Sequence, residues 1–131
     1  MKKFNCLIVD DDEVARLKVV SIVRNFPIFN IIGNFSSAIA AFSVSEKESI
    51  DVLFLDIDMP TLSGLELRKK LMNIPVCVFI TSHPEHAAES FELETLDFIV
   101  KPLREERFAQ TVSRIEEFME IKQKAVLYET S

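Results

Sequence analysis

The sequence has only 2 glycines in 131 residues, too few for a glycine-rich loop of the kind that wraps phosphates. It has no tryptophan and only 2 cysteines. Cys6 and Cys77 both lie in apolar runs, so they read as small buried hydrophobes with reduced thiols rather than as a disulfide or a metal site. Positive charge is scarce: 15 Lys and Arg stand against 21 Asp and Glu, a net charge of -6 and a pI of about 5.0. The domain is therefore a poor partner for nucleic acid or an anionic membrane. No apolar run approaches a membrane span, and Leu7-Ile8-Val9 is too short for the core of a signal peptide. These absences lead to the expectation of a cytoplasmic protein without a membrane segment. What is plentiful is apolar residue: 48 % of the chain is hydrophobic, with 11 Phe. That excludes a disordered chain, and the length suits one domain with a proper core.

The apolar residues fall in short unbroken runs. Asn5-Cys6-Leu7-Ile8-Val9, Phe29 to Phe35, Val52 to Leu55, Pro75 to Thr81 and Leu96 to Val100 read as strands. The runs do not alternate with polar residues, which marks strands buried on both faces, as in a parallel sheet. Helices are expected between them: Asp12 to Asn25, with Val14, Leu17 and Val20 on its period; Ala38 to about Glu46 behind a Ser36 or Ser37 cap; Gly64 to Met72; one starting at Pro84 with Ala87, Ala88 and Phe91 on its apolar side; and one starting near Arg104. On the last, Phe108, Val112, Ile115 and Met119 form a stripe fit for packing on a sheet or pairing with another helix. The tail from Ile121 to Ser131 is expected to lose this regularity. Five strands alternating with five helices predict a doubly wound α/β domain with a five-stranded parallel sheet.

In such a sheet the carboxyl ends of the strands face one way, and ligands bind there. Those ends carry Asp10 and Asp11, Asp56, Thr81 and Ser82, and Lys101. Three crowded carboxylates repel one another, a divalent cation relieves the repulsion, and an all-oxygen cluster suits magnesium. A central carboxylate can then act as a nucleophile toward phosphorus. Lysine supplies a point charge, and threonine a hydroxyl donor, for phosphoryl oxygens.

These residues resemble the response-regulator receiver domains of two-component signalling, which have a flavodoxin-like fold with strand order 2-1-3-4-5. The resemblance rests on Val9-Asp10-Asp11-Asp12-Glu13, Leu55-Asp56-Ile57-Asp58-Met59-Pro60 with Ser63-Gly64, Thr81-Ser82, and Phe98-Ile99-Val100-Lys101-Pro102. It implies that Asp56 accepts phosphate from a sensor histidine kinase. It implies that Mg2+ is held by Asp10, Asp11, Asp56 and the backbone carbonyl of Asp58, and that Thr81 and Lys101 hold the phosphoryl oxygens. It also implies a cis bond between Lys101 and Pro102, a switch through Thr81 and Phe98, and tuning of phosphate loss by Asp58 and His83. Phe98 lacks the hydroxyl of the tyrosine often found there, so a switch through that hydroxyl is excluded. His86 is given no role. Phe91 to Phe98 looks like the receivers that precede LytTR-type DNA-binding domains, which would control transcription. On this basis residues 1–124 are expected to be the receiver and 125–131 a tail or the start of a linker. DNA would be reached only through an output domain outside this sequence, and a homodimer through the fourth helix, fifth strand and fifth helix is expected.

The rival is a haloacid-dehalogenase-like phosphatase using Asp56 and Asp58, because Asp56-Ile57-Asp58 followed by Thr61-Leu62 is similar to that nucleophile motif. Against it, the motif lies on the third strand and runs into Met59-Pro60, and there is no cap domain.

Overall fold

The computed structural model describes residues 2–130, with side chains described for 2–127. The apolar runs become β1 (Phe4–Val9), β2 (Phe29–Phe35), β3 (Val52–Leu55), β4 (Val76–Thr81) and β5 (Asp97–Val100). They form one sheet in the order β2-β1-β3-β4-β5, and every adjacent pair is parallel. The helices are α1 (Glu13–Val23), α2 (Ala38–Ser45), α3 (Gly64–Lys70), α4 (Ala87–Phe91) and α5 (Glu105–Thr130). A 3-10 turn, Pro84–His86, leads into α4.

Because side chains alternate along a strand, each central strand feeds two cores. Cys6, Ile8, Val52, Phe54, Val78 and Ile80 face Val19, Val20 and Val23 of α1 and Phe108, Val112 and Ile115 of α5. Leu7, Val9, Leu53, Leu55 and Phe79 face Ala38 and Ala41 of α2, Leu65 and Leu67 of α3, and Leu71 just after it. Phe108 seats α5 on the sheet, with its ring centroid 5.4 Å from that of Phe54 and 5.2 Å from that of Phe26. Such edge and tilted contacts add about 0.5–1.5 kcal/mol each beyond burial. Burial pushes the thiols of Cys6 and Cys77 up to about 12, so both stay protonated and inert.

Three expectations are corrected. Of the residues on the expected period of α1, Val20 is buried, but Val14 and Leu17 are 79 % and 49 % exposed; Val19 and Val23 join Val20 against the sheet. The helix is apolar on two sides, so its spacing admits two stripes. α4 is a single short turn and a half behind the 3-10 turn; Phe91 is exposed, and Ser90 is the residue it buries. Finally, α5 does not lapse after Ile121 but runs on to Thr130. That segment contains no Gly or Pro and is rich in good helix formers, so helix persists where the core-facing stripe ends.

Candidate functional site

The sheet edge assembles the site because each functional residue ends a strand or directly follows one. Asp10 follows β1, and its amide donates to the Phe35 carbonyl at the end of β2. Asp56 follows β3, and its amide donates to the Val9 carbonyl. The two carboxylates are thus fixed side by side by sheet register. Thr81 ends β4, and its carbonyl accepts from the Lys101 amide, which places Lys101 across the same edge. The Lys101–Pro102 bond is cis. Pro60, barred from a central strand, turns the chain away after Asp56. Ser63 then starts α3 with a capping box, its hydroxyl and the Glu66 carboxylate each bonding the other's backbone amide.

Asp10 and Asp56 are buried at 3 % and 6 % exposure, whereas Asp11 is exposed. One carboxylate oxygen from each of the three lies within 4.8 Å of the others. The Lys101 ammonium sits 2.7 Å from Asp10 Oδ2 and 3.4 Å from Asp56 Oδ2. Asp10 Oδ1 accepts the Asp12 amide at 2.9 Å, and Asp56 Oδ1 accepts the Ile57 amide at 2.8 Å. Burial lifts the Asp10 carboxyl above its ordinary value and the Asp56 charge adds to the lift, against the pull of Lys101. Burial works to lower the Lys101 value, but the hydrogen bond to Asp10 and the charges of both acids hold it above the ordinary lysine range, so the ammonium stays charged. Three carboxylates against one ammonium leave two negative charges at the edge. A hard divalent cation with oxygen ligands fits that charge; oxygens about 2.1 Å from one ion lie at most about 4.2 Å apart, so a cluster within 4.8 Å needs only small side-chain shifts to close on it.

The rim adds a pair. His83 Nε2 lies 3.1 Å from Asp58 Oδ2, and His83 Nδ1 lies 3.0 Å from Glu85 Oε1. The Asp58 side chain is 75 % exposed and turns toward His83 rather than into the acidic cluster. That is unsuited to protonating a leaving group inside the site, as the phosphatase reading requires. Thr81 is fully buried, and its Oγ1 accepts the His83 amide at 3.3 Å, so that bond does not use its own hydrogen. Phe98 is half-buried, pairs in register with Phe79, and lies two residues before Val100, the register partner of Thr81. Thr81, Phe79 and Phe98 therefore share one face of the sheet. The Phe98 ring centroid is 6.5 Å from those of Phe79 and Phe91.

Two groups were not singled out in the sequence. Asp97, 2 % exposed, is held by Arg107 at 2.8 and 2.9 Å, by Thr111 at 2.6 Å and by Arg114 at 3.1 Å, which ties α5 to β5. An acid inside a strand-like run was the available signal. Arg68, 1 % exposed, donates to the carbonyls of Leu71, Ile74, Leu93 and Glu94, joining the end of α3 to the turn before β5. Beside Lys69 and Lys70 it reads in sequence as one more surface cation, and nothing in the spacing separates it.

The model of the response regulator receiver domain family matches residues 6–113. The transcriptional regulatory protein BtsR of Salmonella typhi is 37 % identical over 111 residues, covering 83 % of this chain and 46 % of the relative. The crystal structure of the response regulatory domain of MrkE from Klebsiella pneumoniae aligns at 28 % identity with a TM-score of 0.79, covering 92 % of this chain and 98 % of that one. The receiver domain of AraT, a response regulator from Geobacillus stearothermophilus, aligns at 25 % identity with a TM-score of 0.83, covering 92 % and 98 %. The chain spans about half the length of the curated relatives it matches. The match covers most of the chain and includes every strand-end group of the acidic site, which sets the phosphatase reading aside: the chain belongs to the response regulator receiver domains, phosphoacceptors rather than true enzymes.

Proposed function

We propose that the domain accepts a phosphoryl group on Asp56 from the phosphohistidine of a sensor histidine kinase and passes the change to its surface. The observation that supports this most is the setting of Asp56. It is a nearly buried carboxylate at the end of the central strand, flanked by two further carboxylates and faced by the Lys101 ammonium. A carboxylate oxygen attacks phosphorus, the bond from phosphorus to the donor imidazole breaks, and an acyl phosphate forms on Asp56. Asp10, Asp11, Asp56 and the Asp58 backbone carbonyl would hold magnesium, which when bound would neutralise charge on the transferring oxygens. Lys101 then exchanges a carboxylate neighbour for a phosphoryl oxygen, and the Thr81 hydroxyl donates to a second. The pair of Asp58 and His83 at the rim sets how readily water reaches the acyl phosphate.

Drawing Thr81 toward the phosphoryl group opens space on the face it shares with Phe98, and the half-buried ring gains by turning in. The surface of α4, β5 and α5 changes with it. It carries the exposed apolar residues Phe91 and Val100 and charges of both signs: Glu85, Glu89, Glu92, Glu94, Arg104, Arg107 and Arg114. Phosphorylation promotes a two-fold dimer there. In a longer regulator residues 125–131 lead on from the receiver of residues 1–124 into a LytTR-type output domain that binds DNA. The name of BtsR, a transcriptional regulatory protein about twice as long as the matched segment, supports that reading.

The test is intact mass after incubation with acetyl phosphate and magnesium. One phosphoryl group is expected, lost in Asp56→Ala and in EDTA. An unchanged yield in either sinks the assignment.

A further inference from the structure

Among its described residues, helix α5 packs on the core from Phe108 to Met119. Phe108, Val112 and Ile115 are buried and Met119 is half-buried, but every residue from Glu120 to Leu127 is exposed. Its 26 residues make it about 39 Å long, and the described core contacts end at Met119. Met119, Lys122, Gln123 and Val126 border a groove of about 520 Å³ against Phe4 and Ile28. A different side carries Phe118 and Ile121, 37 % and 61 % exposed, followed by Ala125. Spacings of three and then four residues are those of the a and d positions of a coiled coil, and in sequence they continue to Tyr128. Arg114, one turn earlier on the same side, is engaged by Asp97 and ends the stripe.

The flanking charges are complementary in this frame. Glu117 falls at g and Lys122 at the following e, positions that face each other across a parallel two-stranded coil. Residues five apart are not neighbours on one helix, so this pair can act only between helices. An antiparallel coil would call instead on Lys124, which Glu120 of its own helix engages at 3.3 Å.

We propose that the exposed half of α5 is a pairing surface for a second copy of this chain, a short parallel coiled coil with Phe118, Ile121 and Ala125 in the seam and Glu117 against the partner's Lys122 on both flanks. It is independent of Asp56 chemistry and distinct from the phosphorylation-dependent contact. Two heptads are short, so the association is weak and concentration-dependent.

Sedimentation equilibrium of the unphosphorylated, magnesium-free chain over a concentration series tests it. A monomer–dimer equilibrium is expected, weakened roughly tenfold or more by Ile121→Asp, a change of at least about 1.4 kcal/mol. Ile121 lies outside the core, so circular dichroism of that variant should match the parent. Glu117→Lys should weaken pairing, and adding Lys122→Glu should restore it. Under a glutathione redox buffer Ala125→Cys should cross-link to itself, and Gln123→Cys on the groove side should not; the native thiols are buried. A monomer at every concentration into the millimolar range overturns the proposal. So does a dimer that Ile121→Asp leaves intact, or cross-linking through position 123 instead of 125.

Discussion

Gly64 is where fold and chemistry press on one another hardest. Its backbone conformation is ordinary, so it is not there for a left-handed turn. It is there because α3 starts directly over the Asp56 peptide. A Cβ at this position would overlap the Asp56 carbonyl oxygen and lie 2.9 Å from its carbon and 3.1 Å from Ile57 Cα. Neither side can yield through a side chain. The Gly64 amide donates to the Ile57 carbonyl at 2.8 Å, the Ser63 capping box pins the helix start, and the Asp56 amide is bonded to β1 at 2.9 Å. Gly64→Ala must therefore push backbone from backbone by on the order of 1 Å to recover normal contact. Overpacking costs about 1–3 kcal/mol, and with backbone on both sides the upper half applies, about 2–3 kcal/mol. At about 2.1 cal/mol/K of unfolding entropy for each of 131 residues, Tm falls by about 7–11 °C. A displacement of that size at a reacting group costs up to about 10²-fold in rate. Labelling by acetyl phosphate, followed by intact mass against time, should slow by one to two orders of magnitude. Gly33→Ala is the control: the three atoms nearest its new methyl all belong to the Phe35 ring, which can swing aside, so labelling should keep the parental rate. If Gly64→Ala melts and labels as the parent does, the close approach does not hold Asp56 in place.

Asp11→Asn should weaken magnesium binding more than Asp10→Asn, because both Asp10 oxygens already have partners in Asp12 and Lys101; an NMR titration showing the reverse order refutes the assigned ligands. Asp97→Asn should cost about 1–2 kcal/mol, below the usual figure for a broken buried pair because Arg107 and Arg114 reach solvent. Burial works to raise the Asp97 value, but Arg107 and Thr111 hold it below the ordinary carboxylate range, so its contribution is complete above the unfolded value of about 3.9 and is lost as pH falls through the lower folded value. Urea unfolding of parent and variant should therefore differ at pH 7 and converge below about pH 4; a gap that stays constant to pH 3 contradicts this. Arg68→Met should cost about 2–4 kcal/mol net, since four carbonyls lose their donor while a buried charge is relieved, with faster amide exchange from Leu93 to Leu96; a variant as stable as the parent would show that the clamp is idle.

What could be read from the sequence follows from the range of the forces involved. β3 and β4 are buried on both faces, so their apolar runs are unbroken and their ends are visible as the first polar residues. Once the strands are parallel, topology alone gathers Asp10, Asp11, Asp56 and Lys101 from three separated stretches. Thr81, the last residue of β4, is legible for the same reason. The helices are less legible because their burial is one-sided and depends on which stripe the sheet selects. α1 offers Val14 and Leu17 as readily as Val19, Val20 and Val23, and only the crossing geometry over β1 chooses. α4 is too short to show a period at all. Arg68 and Asp97 are invisible for a third reason: a buried charge is defined by its partners, and those partners are carbonyls and side chains brought from other elements. Arg68 meets the turn before β5 only because α3 ends over β4, and Asp97 meets Arg107, Thr111 and Arg114 only because α5 crosses the edge strand. Arg68 ties α3 to the turn before β5 and Asp97 ties β5 to α5, so the contacts hardest to read from sequence are those that seat the strand carrying Phe98. The acidic edge carries the chemistry and is set by strand order. The seating of β5 against α3 and α5 is set by two buried charges, which strand order alone does not place.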